Sequence, residues 1–220
     1  MTSDPRLHCA QGTVSGTGTT FALCRQQVAV VGEVARSGLA TQLIEIVQNS
    51  IGEMESVVDI LLQSNQMIYE LVNVDPPEMR AASLVVATSR GNHVVVAHTG
   101  GCQAWLFRDR EVYRLSSDQS LAMDVLMNTG SFDQYDQLRR EAPTAISAAL
   151  GLMPVTRLDV RYEPIRSRDR VVLLAGGATL GRLGYGDLVE AAKYDNPSQV
   201  VGILRRRATS EDWAAAVLAF

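Results

Sequence analysis

The sequence predicts an α+β fold built on antiparallel sheets, and three observations lead to this. Strand-like and helix-like segments are grouped along the chain and do not alternate singly, which disfavours a parallel doubly wound sheet. Four short β-branched segments follow one another between residues 83 and 115, with the tight-turn sequence Arg90-Gly91-Asn92 between the first two. Apolar residues recur every three or four positions from Leu39 to Leu61, which is the period of an amphipathic helix.

The individual elements follow from the same patterns of β-branched runs, helical periods and turn residues. Strands are predicted at Phe21–Arg25, Val28–Glu33, Ser83–Thr88, His93–His98, Gln103–Arg108, Val112–Leu115, Arg157–Tyr162, Arg170–Leu174 and Trp213–Phe220. Helices are predicted at 38–49 and 52–72, within a helix-and-loop region at 118–152, and at 185–208. Residues 1–12 are expected to form a loose lead-in. Residues 1–220 are predicted to form one domain, because no repeat, linker or low-complexity tract divides them.

Composition and charge exclude several classes of function. The 220 residues carry 20 basic and 24 acidic side chains, a formal net charge of -4, and only 5% aromatic residues. This balance disfavours a nucleic-acid binder. No apolar run approaches the roughly 20 residues that span a bilayer, so no membrane insertion is expected. The three cysteines are widely spaced and no secretory signal is present, which predicts a cytoplasmic protein.

The common catalytic motifs are absent from the sequence. There is no P-loop and no Gly-x-Ser-x-Gly elbow. His93 and His98 are five residues apart, so on one strand they face opposite sides and make a poor metal pair.

Three ordered segments resemble a known family. Gly100-Gly101-Cys102-Gln103-Ala104-Trp105 is similar to Val-Gly-Asp-Ser-Arg-Ala-Tyr, and Leu115–Ser120 is similar to Leu-Thr-x-Asp-His-Ser. Arg168–Ala178 is similar to Gly-Asp-x-x-Leu-Leu-x-Ser-Asp-Gly-Leu. These are motifs of the metal-dependent PPM (type 2C) serine/threonine protein phosphatases, and the resemblance covers about residues 11–220. It implies a four-layer αββα sandwich, in which two antiparallel sheets pack face to face between helix pairs.

The same resemblance implies that most of the metal-binding carboxylates have been lost. Active members hold two Mg or Mn ions with a cluster of aspartates, and two of those positions are Gly101 and Gly176 here. Glu33 and Asp212 are the residual candidate ligands, and two carboxylates would hold at best one weak Mg or Mn ion. We therefore expect no catalytic residue and no cofactor, as in a pseudophosphatase.

A contact surface for a protein partner is predicted beside this site. Residues Ser131–Glu141 occupy the segment that forms the mobile flap in the family, and loops on a rigid scaffold often carry function. Phe132 and Tyr135 are its candidate partner-binding residues, although the sequence identifies no partner.

Three hypotheses about function remain open at this stage. In the first, the chain is a catalytically inactive regulatory or scaffolding module. In the second, it is a divergent active phosphatase that recruits other ligands. Candidates for such ligands are Glu53, Asp118, Asp169 and Asp187. In the third, it is a structural subunit of a larger bacterial assembly.

Overall fold

The architecture is taken from a computed structural model of the chain. The structure describes residues 6–11, 19–25, 28–34, 43–45, 49, 56–74, 81–176, 183–208 and 213–220. Of the two helices predicted between residues 38 and 72, the first is described only at residues 43–45 and 49, which are helical, and the second is described from residue 57 onward.

Ten strands form two five-stranded sheets in which every pairing is antiparallel. Sheet A has the order β1-β10-β9-β6-β7, and sheet B has the order β2-β3-β4-β5-β8. The strands are β1 Arg6–Gln11, β2 Thr19–Arg25, β3 Val28–Val34, β4 Ala82–Arg90, β5 His93–Thr99, β6 Gln103–Arg108, β7 Glu111–Arg114, β8 Asp159–Pro164, β9 Arg170–Gly176 and β10 Trp213–Ala219.

Five helices have described bounds, and they lie outside or beside the sheets. They are α1 Val57–Val74, α2 Leu121–Thr129, α3 Phe132–Glu141, α4 Tyr185–Ala192 and α5 Pro197–Arg207. Ser120 and Ser131 begin α2 and α3 as N-caps, because each side chain accepts a hydrogen bond from a backbone N–H in the first turn. Asn196 and the following Pro197 begin α5 in the same manner.

Three apolar clusters hold the layers together. One fills the space between the two sheets and includes Val85 and Leu173. A second lies between sheet B and α1, and the third lies between sheet A and the pair α4–α5. Strand residues alternate between the inner and outer clusters because successive side chains point to opposite faces. The predicted α+β order of four layers, αββα, is therefore confirmed.

The lead-in prediction is corrected by the structure. Residues 6–11 are not loose, because Arg6–Gln11 forms the edge strand β1 and pairs with β10 from Arg6↔Ala219 to Gln11↔Ala214. The predicted hairpin turn is observed, since Arg90 pairs with His93 across the two-residue turn at Gly91 and Asn92. Gly91 has a φ of +59°, which suits glycine.

Candidate functional site at the glycine end of the sandwich

The sequence-predicted positions converge at one end of the sandwich. The pairing of β6 with β9 joins Gln103 to Leu174, so Gly101 and Gly176 lie at the same end of this strand pair. Gly176 pairs with Trp213, the first residue of β10. Asp212 directly precedes Trp213 in the sequence and lies outside the described residues. The fold thus brings together the ends of three neighbouring strands of sheet A.

Glu33 approaches this end from sheet B. It pairs with Ser83 near the end of β3 and shares the strand face of Val31, which points into the core between the sheets. Burial raises the pKa of the Cys102 thiol well above its ordinary value, and the negative charge of Glu33 adds to this. Cys102 is therefore a protonated core residue beside Glu33.

The turn at Gly100 and Gly101 is fixed by close contacts. Gly100 has a φ of +82°, and a Cβ added there would lie 2.3 Å from Ser83 Oγ. The Gly100 N–H donates to Gln119 Oε1 at 2.7 Å, and the Gly101 N–H donates to Ser83 Oγ at 3.0 Å. Both backbone donors of the turn are thus satisfied within the chain.

A cleft with a volume of about 100 Å³ opens beside this turn. We call it the Arg114–Arg139 cleft. It is lined by Gly100, Gly101, Gln103, Arg114, Asp118, Gln119, Ser120, Arg139, Pro143, Thr144, Ala145 and Ile146. Its charged side chains come from β7, from the loop before α2 and from α3, so the fold assembles it from three separate segments.

Asp118 pairs with Arg114 in the cleft and also feels the charge of Arg139. Its carboxylate is 3.7 Å from Arg114 Nη1 and accepts the Ser120 N–H at 2.9 Å. Partial burial acts to raise the pKa of Asp118, but the hydrogen bonds from Ser120 and the charges of Arg114 and Arg139 outweigh it and hold that pKa below its ordinary value. Asp118 is therefore an ionised partner of two cations.

A polar network supports the cleft from behind. Gln119 Nε2 donates to Asp159 Oδ2 at 2.8 Å, and Ser117 Oγ donates to the same oxygen. His98 is 1% exposed, and its Nε2 lies 3.3 Å from the Ser117 carbonyl oxygen. Burial lowers the pKa of His98, and the nearby Asp159 carboxylate only partly opposes this. The His98 ring therefore contacts the backbone of the loop before α2, while the Ser117 hydroxyl is held by Asp159.

The segment predicted as a flap, Ser131–Glu141, forms α3 and makes a helical hairpin with α2 beside the cleft. Helices α2 and α3 are joined at Gly130 and Ser131, and no residue of α3 is buried. Phe132 is 71% exposed, while Tyr135 is half-buried with the Arg139 guanidinium 5.9 Å from its ring centre. The contact role predicted for Phe132 and Tyr135 stays a prediction.

The alternative ligands proposed for an active enzyme are dispersed in the fold. Asp169 is buried and binds Arg108 at 2.6 Å, at the opposite end of β9 from Gly176. Asp187 accepts the Gly184 N–H at the start of α4. Glu53 lies outside the described residues. Of these alternatives, Asp118 is the one that the described structure places beside the glycine end.

The sequence reasoning missed the arginines that shape the cleft. Arg114 and Arg139 are 25 positions apart on different elements, and neither belongs to a motif. The capping sequence before α2 and the hinge before α3 were the available signals, because they indicate that the chain turns back toward Asp118 between these residues.

Comparisons with known proteins show which proteins share sequence or fold with this chain. No protein-family model matches the sequence. The serine/threonine phosphatase stp of Listeria monocytogenes is 26% identical over 97 residues, which is 44% of this chain and 38% of that protein. The match thus spans well under half the length of this curated relative.

Solved structures match over nearly the whole chain. The PPM Ser-Thr phosphatase MsPP from Mycobacterium smegmatis, in complex with cacodylate, has a TM-score of 0.81 at 17% identity and covers 99% of this chain and 98% of its own. PppA, described as a key regulatory component of T6SS in Pseudomonas aeruginosa, has a TM-score of 0.78 at 15% identity, with 99% of each chain covered. The chain therefore has the PPM phosphatase fold.

One expectation is wrong in the light of these comparisons. No cofactor was expected, but the catalytic domain of the serine threonine protein phosphatase PstP is solved in complex with two manganese ions. That domain has a TM-score of 0.74 at 16% identity and covers 98% of this chain and 97% of its own. A protein of this fold therefore binds manganese, and the expectation of no cofactor is wrong.

The described residues of this chain do not by themselves form such a two-metal centre. Across the part of the chain that the structure describes, no group of three or more His, Cys, Asp or Glu side chains could hold a metal ion. Gly101 and Gly176 offer no side-chain oxygen, and Glu33 contributes one carboxylate beside Ser83 in sheet B. An ion at this end would therefore need ligands from outside the described residues, such as Asp212.

The described helices include none with the length and apolar character needed to cross a membrane.

Proposed function

We propose that this chain, which has the PPM phosphatase fold, is a catalytically inactive relative that acts as a regulatory protein-interaction module in the cytoplasm. The observation that carries the proposal is the pair Gly101 and Gly176 at one end of the β6–β9 strand pair. In the resemblance described above, both positions carry metal-binding aspartates.

The chemistry of phosphoryl transfer explains why these two residues matter. A two-metal mechanism uses both ions to orient the attacking oxygen and to stabilise the leaving one, and each ion needs several oxygen ligands. Glycine contributes no side-chain oxygen. The loss of one such metal-centred stabilisation commonly costs several kcal/mol of activation free energy, at about 1.4 kcal/mol per tenfold in rate.

The retained architecture supports a binding role. The turn at Gly100 and Gly101 keeps its contacts to Ser83 and Gln119, and the apolar core between the sheets is filled. The cleft and the α2–α3 hairpin remain exposed beside it, and Phe132 and Met127 are 71% and 77% exposed. PppA, which shares this fold, is itself described as a regulatory component. We therefore assign the partner contact to the α2–α3 hairpin, with Phe132 and Tyr135 at its centre.

A second candidate function is a divergent, metal-dependent phosphatase. The observation that favours it is the extent of the match, because solved phosphatases align with 98–99% of this chain. Glu33 also remains at the glycine end as one carboxylate. Turnover distinguishes the two candidates directly.

The deciding experiment measures phosphate release from p-nitrophenyl phosphate and from a phosphothreonine peptide in millimolar manganese. We expect the full chain to release phosphate no faster than its Glu33→Gln/Asp212→Asn variant, in which both residual carboxylates are neutral. Manganese-dependent release that this double variant loses would overturn the proposal and establish the second candidate.

A gain-of-ligand variant tests the site independently of activity. Gly101→Asp/Gly176→Asp restores two carboxylates, and we expect it to bind manganese at least about tenfold more tightly than the natural chain in titration calorimetry, because affinity rises with ligand charge. Gly91→Asp is the matched control, since it adds a carboxylate at a remote open turn where no atom lies within 4 Å of an added Cβ. Equal manganese affinity in all three proteins would show that the two glycines do not face a common site.

A further inference from the structure

The strand β8 forms an open edge of sheet B. It pairs with β5 from His93↔Pro164 to His98↔Asp159, and within the described residues no strand pairs with its other side. An open edge presents unpaired backbone donors and acceptors, and natural proteins normally block such an edge or use it for pairing. Pro164 limits such pairing to the neighbourhood of Val160 and Tyr162, because it has no N–H and its carbonyl oxygen accepts Arg108 Nη2 at 2.7 Å. The side chains of β8 decide between these outcomes.

The helix-facing side of this strand is apolar and exposed. Val160 and Tyr162 lie opposite Ala97 and Val95, which belong to the cluster packed against α1, yet they are 43% and 71% exposed. The loop that leads into β8 lies on the same outer side, because Asn65 of α1 donates to the carbonyl oxygens of Met153 and Pro154. In that loop Met153 is 62% exposed and Val155 is 79% exposed.

The other side of the strand carries three charges of alternating sign, on Asp159, Arg161 and Glu163. Arg161 Nη2 lies 3.3 Å from Glu163 Oε2, and Glu163 is also 3.6 Å from Arg108 Nη1. Charged residues on an edge strand usually prevent pairing because a second strand would bring like charges together. Here the two signs alternate, so the outcome depends on the register of the incoming strand.

Antiparallel pairing of β8 with itself has two registers that match these charges. An axis on Val160 would place Arg161 opposite Asp159, but Ser117 and Gln119 already bind that carboxylate. The second register leaves these contacts of Asp159 unchanged. When the two-fold axis passes through Tyr162, Arg161 lies opposite Glu163 of the second copy, and Glu163 lies opposite its Arg161. A shift that centres the axis on Arg161 would place Arg161 opposite Arg161 and Asp159 opposite Glu163, which is repulsive at both pairs.

We propose that β8 is the docking edge for a second copy of this chain, paired antiparallel about Tyr162 into a continuous ten-stranded sheet. Arg161 and Glu163 of the two copies together supply four charges of alternating sign, and these fix the register. On the opposite face, Val160 and Tyr162 lose exposed apolar surface. Each cross-strand pair of opposite charge contributes about 0.2–1 kcal/mol. The contact is small, so association is reversible and depends on concentration.

A charge-mixing experiment tests this pairing by sedimentation of the full chain across a range of concentrations. Arg161→Glu places a new carboxylate opposite Glu163 of the other copy, and Glu163→Arg places arginines opposite one another, so each variant alone is expected to be monomeric. In an equimolar mixture both cross-strand pairs are again oppositely charged, and we expect dimers to return. Arg205→Glu, at an exposed position of α5, is the charge-matched control and keeps the natural association.

The expected shift is an increase of at least about tenfold in the concentration for half-association of each single variant. Circular dichroism checks that both fold, since Glu163→Arg also faces Arg108. Tyr162→Lys, at a strongly exposed side chain, provides a second test, because it brings two lysines together at the axis. A natural chain that stays monomeric, a Tyr162→Lys variant that still dimerises, or folded single variants whose mixture stays monomeric would each overturn the proposal.

Discussion

The two ends of the β6–β9 strand pair differ in whether they carry a buried carboxylate. At one end, Asp169 directly precedes β9 and binds Arg108, the last residue of β6. Gly101 and Gly176 lie at the other end, about 20 Å away along the seven-residue strand β9. The same two strands thus carry a buried ion pair at one end and no side chain at the other.

The difference shows what allows a buried carboxylate to persist. Asp169 Oδ2 accepts hydrogen bonds from Arg108 Nη2 at 2.6 Å and from the Arg166 N–H at 2.8 Å, so its charge is compensated within the chain. Aspartates at the glycine end would depend on a bound cation for the same compensation. Without that cation, clustered carboxylates would repel one another, so glycine at these two positions avoids an electrostatic cost of folding.

The largest expected effect comes from breaking the ion-paired end. Asp169→Ala leaves the largely buried Arg108 guanidinium without its main partner, and removing one member of a buried pair typically costs about 3 kcal/mol or more. We expect the free energy of unfolding in urea to fall by about that amount. The hydrogen bonds that Arg108 donates to Asp169, which raise the pKa of Arg108, would be lost at the same time.

The matched control for this variant is Asp195→Ala. Asp195 also pairs with a buried arginine, Arg170, at 3.4 Å, but its own side chain is 82% exposed. Arg170 retains hydrogen bonds to the carbonyl oxygens of Ala192 and Tyr194. Removing the Asp195 carboxylate should therefore lower the free energy of unfolding by no more than about 1 kcal/mol. Equal losses in the two variants would contradict the importance assigned to burial at the Asp169 end.

The second prediction concerns packing at the glycine end. Gly100→Ala introduces a Cβ that would lie 2.3 Å from Ser83 Oγ and 2.8 Å from Ser83 Cβ, in a backbone conformation with φ +82°. Overpacking and the left-handed backbone together should cost about 2–4 kcal/mol. Urea denaturation of this variant, with circular dichroism as the probe, measures the loss.

Gly91→Ala separates the two contributions to that loss. Gly91 has φ +59° but no atom within 4 Å of an added Cβ, so the substitution carries only the backbone cost of about 1 kcal/mol. A Gly100→Ala variant as stable as Gly91→Ala would show that the contact between the turn and Ser83 is not tight.

The strand order could be predicted because β-branched runs and turn residues mark most strands locally. Val28–Val34 and His93–Thr99 show this clearly, and their predicted bounds differ from the observed ones by one residue. Arg6–Gln11 was missed because it has no β-branched residue and becomes a strand only by pairing with β10. Tertiary pairing, and not local propensity, forms this edge.

The candidate site was only partly predictable for a related reason. Gly101 and Gly176 were found through ordered motifs, but their convergence depends on the register of β6 with β9, which no local pattern encodes. The Arg114–Arg139 cleft requires the α2–α3 hairpin to fold back over Asp118. The contact of Ser83 with Gly101 joins residues on separate strands and is visible only in the fold.

The smallest expected effect lies in the polar network beside the glycine end. Burial lowers the pKa of His98, so at mildly acidic pH the unfolded chain binds a proton there that the folded chain does not. The stability linked to neutral His98 is present above the ordinary histidine pKa of 6.5 and is lost as pH falls through the lowered value. One such proton gives a slope of at most about 1.4 kcal/mol per pH unit.

His98→Gln removes this titration and preserves a donor for the Ser117 carbonyl oxygen. We expect the free energy of unfolding to depend less steeply on pH between about pH 7 and pH 5 in this variant than in the natural chain. Asp118 and Asp159 do not obscure the difference, because both have a pKa below the ordinary aspartate value. His93→Gln, at an exposed strand position, is the matched control for the loss of an imidazole. Unchanged pH dependence in His98→Gln would show that folding does not lower the pKa of the imidazole, in which case Asp159 offsets the effect of burial.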